Sequence, residues 1–528
     1  MPSPPAPLPQ GEGRKAAQNA PSKSAGALLL GLDIGTSSVK AVVCATDGRI
    51  VCQASAANAL LAPAPGWAEQ RPDEWWANAV TTLRACLAHP DVTASQIAAV
   101  GVTGMLPALV LLGADGAPLR PSIQQNDARA LAEIETLAAA VGPETFFAKT
   151  GATLSQQSIG PKLLWLQTHE PDAWALARTL LGSYDFINFR LTGVLSIEQN
   201  WALESGLYDI RSRQWSPELL AAVNTPASLL PPVRGAHEVI GAVTAGAARE
   251  TGLRAGTPVV AGSADHIGAA LAAGVTEDGD LLVKIGSAGD ILYCCETPVL
   301  DRRLYIDYHD VPGKYLLNGC MATSGSLLRW YVQQFCPDVL AEAAAAGTSA
   351  YATMDARAAV LPPGSKRLVV LPYFLGEKTP LLDPYARGSI LGLTLFHTRE
   401  HVYRAILEAV AYGFRHHVDV LRERGCEPKR VLISEGGAAS ALWRQITADV
   451  LQRPVTYLRD NPGSALGAAF VAGIGVGAFA SWDDITRFVA VEGTAAPNPD
   501  NAALYDELYA IYRDAYEHLK PDFRRLAG

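Results

Sequence analysis

The sequence predicts an α/β protein built in two large halves. Short apolar runs that end in glycine turns alternate with amphipathic helical stretches from residue 27 onward. Three such turns, at 33–38, 284–290 and 434–440, carry small hydroxyl residues beside charged ones. Of the 528 residues, 49% are hydrophobic and 18% charged, enough apolar content for sizeable cores and too little charge for bulk disorder. Length alone gives about three units at ~150 residues per domain. The chain reads better as two, 27–275 and 276–520, divided where GVT (274–276) ends an apolar helix and EDG (277–279) turns.

Residues 1–26 mix Pro, Ala, Gly and Ser and are read as a disordered leader. A secretory signal needs an apolar core of ~7–15 residues, which they lack. Residues 27–35, ALLLGLDIG, form a buried strand running into a glycine turn. Strands follow at 39–44 and 49–54 around the Asp47-Gly48 turn, then helices at 73–88 and 128–140. In the second half, DLLVKIGSAGDILYC from Asp280 and RVLISEGGAAS over 430–440 are strand passages of the same kind. Residues 461–482 carry no charge over a length that could span a bilayer, ~20 residues. Their apolar content is mostly Ala and Gly, which fits a helix lying close on a sheet, not a membrane span. No short-period repeat is visible, which argues against a solenoid.

The net charge of −9 argues against nucleic acid as a partner. The eight cysteines form no CxxC pair, so the expected setting is a reducing cytoplasm with no disulfide framework and no zinc site.

Two aspartates stand out against this low charge. Asp33 is the one charged residue between Lys23 and Lys40, at the end of a strand that reads as buried. Leaving such a group unpaired is costly, roughly 2–7 kcal/mol even for a neutral polar group. Gly35 lets the chain turn, and Thr36, Ser37 and Ser38 offer donors to phosphate oxygens. A carboxylate there suits Mg²⁺; the plainer alternative is a hairpin with a turn-capping aspartate. The segment is neither a Walker A loop nor GxGxxG. Asp265, in PVVAGSADHIGAA (258–270), is the one carboxylate between Arg254 and Glu277, where a strand passes through glycine into a small-residue helix. It can take a proton from a hydroxyl attacking phosphorus, or simply cap the helix. His266 has no ligand partner at a recognised spacing and reads as a packed or capping histidine. The glycine turns at Gly286-Ser287 and Gly436-Gly437, with Ser440, permit close backbone approach to a ligand. Together these sites point to nucleotide phosphate bound between two domains.

In order along the chain, LGLDIGTSSVKAVV, PGWAEQRPDEWW (65–76), GVTGMLPALVLLGADGAPLRPSIQQNDAR (101–129), GSADHIGAALAAG, LPYFLGEKTPLLDPYARGSILGLTLFHTREHVYRAILEAVAYGF (371–414), SEGGAASALWRQITADVLQRPV and GSALGAAFVAG (463–473) resemble segments of the FGGY family of carbohydrate kinases, most closely its xylulokinase-like members. The resemblance implies two actin-like (ribonuclease H-like) α/β domains with an interdomain nucleotide cleft. It implies transfer of the γ-phosphate of MgATP to a sugar hydroxyl, with Asp265 as general base and Asp33 as the Mg²⁺-linked carboxylate. Gly35, Thr36, Ser37 and Ser38 would meet ATP from the first domain, Gly286 and Ser287 from the second, and Gly436, Gly437 and Ser440 on the adenosine side. Met105, Leu106, Pro107, Asp265 and His266 would face the sugar. A ketopentose such as D-xylulose, giving D-xylulose 5-phosphate, is the expected substrate, and a homodimer is compatible with the family. Three sugar-side positions depart from the pattern: Met105-Leu106-Pro107-Ala108 replaces Gln-Met-His-Gly, Gln125 replaces Trp, and His266 replaces Asn. Kinases of ribulose, of a branched or deoxy ketose, of erythritol or of glycerol therefore stand as alternatives, with a non-catalytic actin-like ATPase or sensor behind them.

Overall fold

A computed structural model describes residues 26–459 and 461–526. The expected leader, apart from Gly26, lies outside them.

Two seven-stranded mixed sheets dominate the molecule. The first is built from β1 (Leu28–Ile34), β2 (Ser38–Ala45), β3 (Ile50–Ala57), β4 (Ile97–Gly104), β5 (Val239–Ala242), β6 (Pro258–Val260) and β7 (Ser263–Ala264). Its order is β5-β6-β4-β1-β2-β3, with β7 also on β4. The second contains β8 (Asp280–Ile285), β9 (Gly289–Cys295), β10 (Tyr305–Tyr308), β11 (Tyr315–Met321), β12 (Arg430–Ser434), β13 (Val455–Leu458) and β14 (Val491–Ala495), in the order β10-β11-β9-β8-β12-β13-β14.

The two sheets repeat one plan. In each, an antiparallel three-strand meander (β1-β2-β3; β8-β9-β11) meets a parallel strand on its first member (β4; β12). A second parallel strand and an antiparallel edge follow in each, and the seventh strand differs: β7 adds parallel to β4, β10 antiparallel to β11. The matching positions carry opposite charges. Asp33 on β1 pairs with Lys40 on β2, while Lys284 on β8 pairs with Asp290 on β9.

The predicted early elements are present: strands at 28–34, 38–45 and 50–57, helix α1 at Pro72–Leu87, and helix α2 at Leu131–Val141. The uncharged segment forms helix α8 (Ser464–Gly475), which follows α3 (Gln199–Glu204), α4 (Asp265–Ala272), α5 (Gly325–Phe335), α6 (Arg399–Glu423) and α7 (Ala441–Leu451). Although α8 comes late in the chain, it lies on the first sheet. Gly31 and Gly101, register partners on β1 and β4, form a flat floor beneath it. A Cβ on either would collide with a backbone carbonyl, that of Ala465 or Ala468. Gly467 meets the backbone of Gly268 on α4 in the same way. Leu29, Val260 and Leu271 from the first half then share one core with Leu466, Phe470, Phe479 and Phe488. Among the described residues no helix is long and apolar enough to cross a membrane.

Candidate active site

Strand register brings the two aspartates together. Asp33 ends β1 beside Thr103 of β4, and β7 pairs with β4 at Thr103 and Gly104, so the helix that begins at Asp265 starts next to Asp33. Asp33 is 6% exposed. Its Oδ1 accepts a 3.3 Å hydrogen bond from the Thr103 hydroxyl, and the Ser464 hydroxyl faces it from α8. Burial, then the charge of Asp265, pushes its carboxyl up to about 6 despite those hydroxyls and Lys40. A buried carboxylate with only hydroxyls on it, facing a second carboxylate, is a site that a divalent cation would satisfy.

Because the folded value of Asp33 lies above the ordinary 3.8, the folded chain binds that proton more tightly than the unfolded chain. Its ionisation therefore costs stability above about pH 6, and the cost fades as pH falls toward 4. Without Mg²⁺ and nucleotide, Asp33→Asn is expected to melt higher than wild type at pH 7.5 and to keep about half of that advantage at pH 5. A melting temperature below wild type at pH 7.5 would sink this account.

Asp265 opens α4, and its side chain is 40% exposed. It does make a local capping-type bond: Oδ1 accepts from the His266 backbone N–H at 2.7 Å. Burial alone would raise its pKa, but the His266 ring, its charge and Lys284 hold it below the ordinary value. The carboxylate borders a cavity of about 440 Å³ closed by both halves: Lys40, Leu106, Gln125 and His266 from the first, and Lys284, Asp290 and Asn318 from the second. Lys284 lies 3.7 Å from Asp290, and that pair with Glu435 and Asp265 keeps it charged against burial.

A second cavity of about 620 Å³ adjoins the first at Glu435, which borders both. Gly286, Ser287, Gly436 and Ser440 line it, with Arg329, Tyr351, Asp355 and Trp443. The Gly286-Ser287 turn is pinned from behind. Gly325 N–H donates to the Gly286 carbonyl at 2.8 Å, and the Ser324 and Ser326 N–H groups donate to Ser287 at 3.0 Å. Gly436 has open space where a Cβ would sit, whereas a Cβ on Gly437 would strike Ile285. Gly437 is thus a packing glycine and does not line the cavity.

Other expected positions sit differently from their prediction. Gly35, Thr36, Ser37 and Ser38 make the β1–β2 turn and line neither cavity. Its backbone is held by Gln70 Nε2 on the Thr36 carbonyl at 2.6 Å and by Asn58 Nδ2 on the Gly35 carbonyl at 2.7 Å. Of the three expected sugar residues at 105–107, Leu106 alone reaches the cavity. Met105 is buried with its sulfur against the Thr36 hydroxyl, and Pro107 is buried behind it. The polar wall comes instead from Gln125, Gln157, Glu204, Tyr305 and Asn318, scattered over nearly 200 residues. Gln125 was visible as a departure from the family pattern; the others carried no local signal.

The Glu69–Trp76 segment proves to be scaffold. Arg129 stacks on Trp67 at 3.8 Å and ion-pairs with Glu69 and Asp127 at 2.7 and 2.8 Å, which fixes the loop that carries Gln125. Trp75 Nε1 holds Gln70, which in turn holds the Thr36 turn.

Family models for the N-terminal and C-terminal domains of the FGGY family of carbohydrate kinases match residues 28–272 and 296–476. The chain belongs to that family. It is an ATP-dependent carbohydrate kinase with the two-domain actin-like fold. It is 29% identical to the xylulose kinase of Bacillus subtilis (strain 168) over 495 residues, 93% of this chain and 97% of that protein. It is also 29% identical to the autoinducer-2 kinase of Escherichia coli (strain K12 / DH10B) over 501 residues, 92% and 94% of the two. The crystal structure of xylulose kinase from Rhodospirillum rubrum superimposes with a TM-score of 0.88 at 47% identity, covering 94% of this kinase and 100% of that chain.

Proposed function

We propose that this kinase transfers the γ-phosphoryl group of MgATP to a hydroxyl of a ketopentose, D-xylulose first among them, giving D-xylulose 5-phosphate. The observation that carries the reading is the Asp265 carboxylate, ionised and open to a cavity that adjoins a glycine-lined one. The sugar hydroxyl oxygen attacks the γ-phosphorus, the bond from phosphorus to the β–γ bridging oxygen breaks, and ADP leaves. Asp265 takes the hydroxyl proton.

Lys284 and Lys40 flank the path of the transferring group with positive charge. Asp33 is the residue that would hold the Mg²⁺ of MgATP, where the ion neutralises charge on the phosphoryl oxygens. The turn at Gly286-Ser287, with Arg329, receives phosphate from the second half, and Gly436 and Ser440 receive the adenosine. The turn at 35–38 occupies the matching place in the first half, so we assign Thr36 and Ser37 to the phosphates in the closed state. Division of the chain near 275 puts the base on one body and the adenosine wall on the other, so closure would exclude water. The thin, unpaired spacing of the eight cysteines in sequence supports a reducing cytoplasm as its setting.

Xylulose is favoured by the relatives named for it. The sugar wall itself, with Leu106 and Gln125 and without the family histidine, keeps other ketoses and polyols as the second reading. ADP release measured over a panel of ketoses and polyols separates them, and D-xylulose is expected to give the highest kcat/KM. A tenfold preference for another member would replace the substrate, and failure of every sugar to stimulate ADP release would remove the kinase reading.

A further inference from the structure

His266 ties the two halves of the molecule together beside the base. It follows Asp265 on α4, and its ring Nδ1 lies 3.4 Å from Asp265 Oδ1. Its Nε2 lies 3.1 Å from Oδ2 of Asp307 on β10, in the opposite half. Asn318 on β11 donates its side-chain amide to the same Asp307 oxygen. Asp307 is fully buried, and its Oδ1 has no hydrogen-bond partner among the described residues. Glu204, at the end of α3, sits against Asp307. Burial and the Asp307 charge push the Glu204 carboxyl up to about 8, so at neutral pH it holds a proton that it can donate to Asp307.

A neutral imidazole carries one N–H, and here both ring nitrogens face carboxylate oxygens. The arrangement satisfies both contacts only if the ring is doubly protonated. Burial alone would lower the pKa of His266, yet Asp307 and Asp265 together raise it well above the ordinary value. Glu204, His266 and Asp307 are also close enough together to suggest a metal centre. An imidazolium has no lone pair to give, and the 3.1 Å contact already joins ring to carboxylate.

We infer that Asp307 is a positioning residue for phosphoryl transfer: through the His266 imidazolium it orients Asp265 and makes alignment of the base depend on seating of the second half against the first. Both contacts of His266 with Asp265 fall on Oδ1, so this oxygen is held while the carboxylate stays open to the cavity. The other charged groups facing the pair are Asp33 on β1, Lys40 on β2, Lys284 on β8, Glu204 on α3 and Asp310 just after β10. Asp33 and Lys284 act on Asp265, while Glu204 and Asp310 act on His266. The inference rests on Asp265 being the base.

The test is steady-state kinetics of the full-length kinase between pH 5 and 9, for wild type, His266→Gln, Asp307→Asn and the double variant. Each single change is expected to lower kcat about tenfold through misplacement of the base. KM for ATP should stay within about twofold, since no ATP contact is touched. The acid limb of the kcat profile should move up by about one pH unit as Asp265 loses its cationic neighbour. The double variant should be no worse than the poorer single one, because both cut one chain. Independently, ¹⁵N-histidine NMR of wild type should show one imidazolium persisting at pH 8, assigned by its loss in His266→Gln. This readout also serves if Asp307→Asn does not fold. Additive single effects, an unmoved acid limb, or a neutral His266 at pH 8 would each overturn the inference. Asp265→Asn is run alongside: if it stays active, the base assignment has failed, whereas an inactive Asp265→Asn beside unperturbed His266 and Asp307 variants sinks the positioning role alone.

Discussion

Asp265→Asn is expected to lower kcat by about 10²–10⁴, the usual contribution of a positioned general base. The amide keeps the size and the Oδ1 contact with the His266 N–H, so the fold and the start of α4 should persist. KM for ATP should change little, because the glycine-lined cavity is built from residues 285–287, 325–355, 403 and 435–443, and Asp265 is not among them. The decisive measurement is ADP release under saturating sugar and MgATP, beside a melting curve. A variant that retains more than a tenth of wild-type kcat with an unchanged melting temperature would strip Asp265 of the role. A variant that melts far below wild type would show instead that the residue serves mainly as a helix-start group.

The second large effect concerns the floor under α8. Gly31→Val is expected to destabilise the protein by about 3 kcal/mol or more, at the upper end of overpacking costs. The new side chain would point into the Ala465 carbonyl, a backbone group of a helix that is itself pressed on α4 through Gly467 and Gly268. Neither helix can retreat without opening the core shared by Leu29, Leu466 and Phe470. Urea unfolding, or loss of the protein to the insoluble fraction, reads the effect. Gly246→Ala is the control: it lies in the short helix Ala245–Thr251, has room for a Cβ, and should be neutral or gain up to ~1 kcal/mol. If Gly31→Val is as stable as Gly246→Ala, the close helix–sheet contact does not carry the weight assigned to it. Because α8 also carries Ser464, which faces Asp33, a milder Gly31→Ala should weaken activity together with stability.

Much of this site was legible from residue order. A charge alone in an apolar strand marks either a defect or a site; Asp265 borders the cavity between the two halves, and Asp33 lies buried beside it. The glycine turns at 286 and 436 were equally plain, since each interrupts an apolar run with residues too small for a core. Gly437 shows the limit of that argument. Its neighbour Gly436 opens to the cavity and Gly437 packs on Ile285, yet in sequence the two are the same letter. Met105 and Pro107 mislead in the same way. Proximity to a motif placed them at the sugar, but the chain turns their side chains into the interior and leaves Leu106 to face the cavity.

By itself the sequence determined the α/β class, the early strands and helices, the two isolated aspartates, and the low charge that makes them conspicuous. These are local properties: apolar period, turn chemistry and the cost of burying a lone charge all act within a few residues. Tertiary structure decided the rest. It laid a helix from residues 464–475 over a sheet begun at residue 28, gave the two halves one strand plan with Asp33–Lys40 mirrored by Lys284–Asp290, and brought Glu204, Asp307 and Asn318 around His266. Such pairings join residues tens to hundreds of positions apart, and no local pattern specifies a partner across that distance; they are fixed only when whole elements pack and their surfaces must fit.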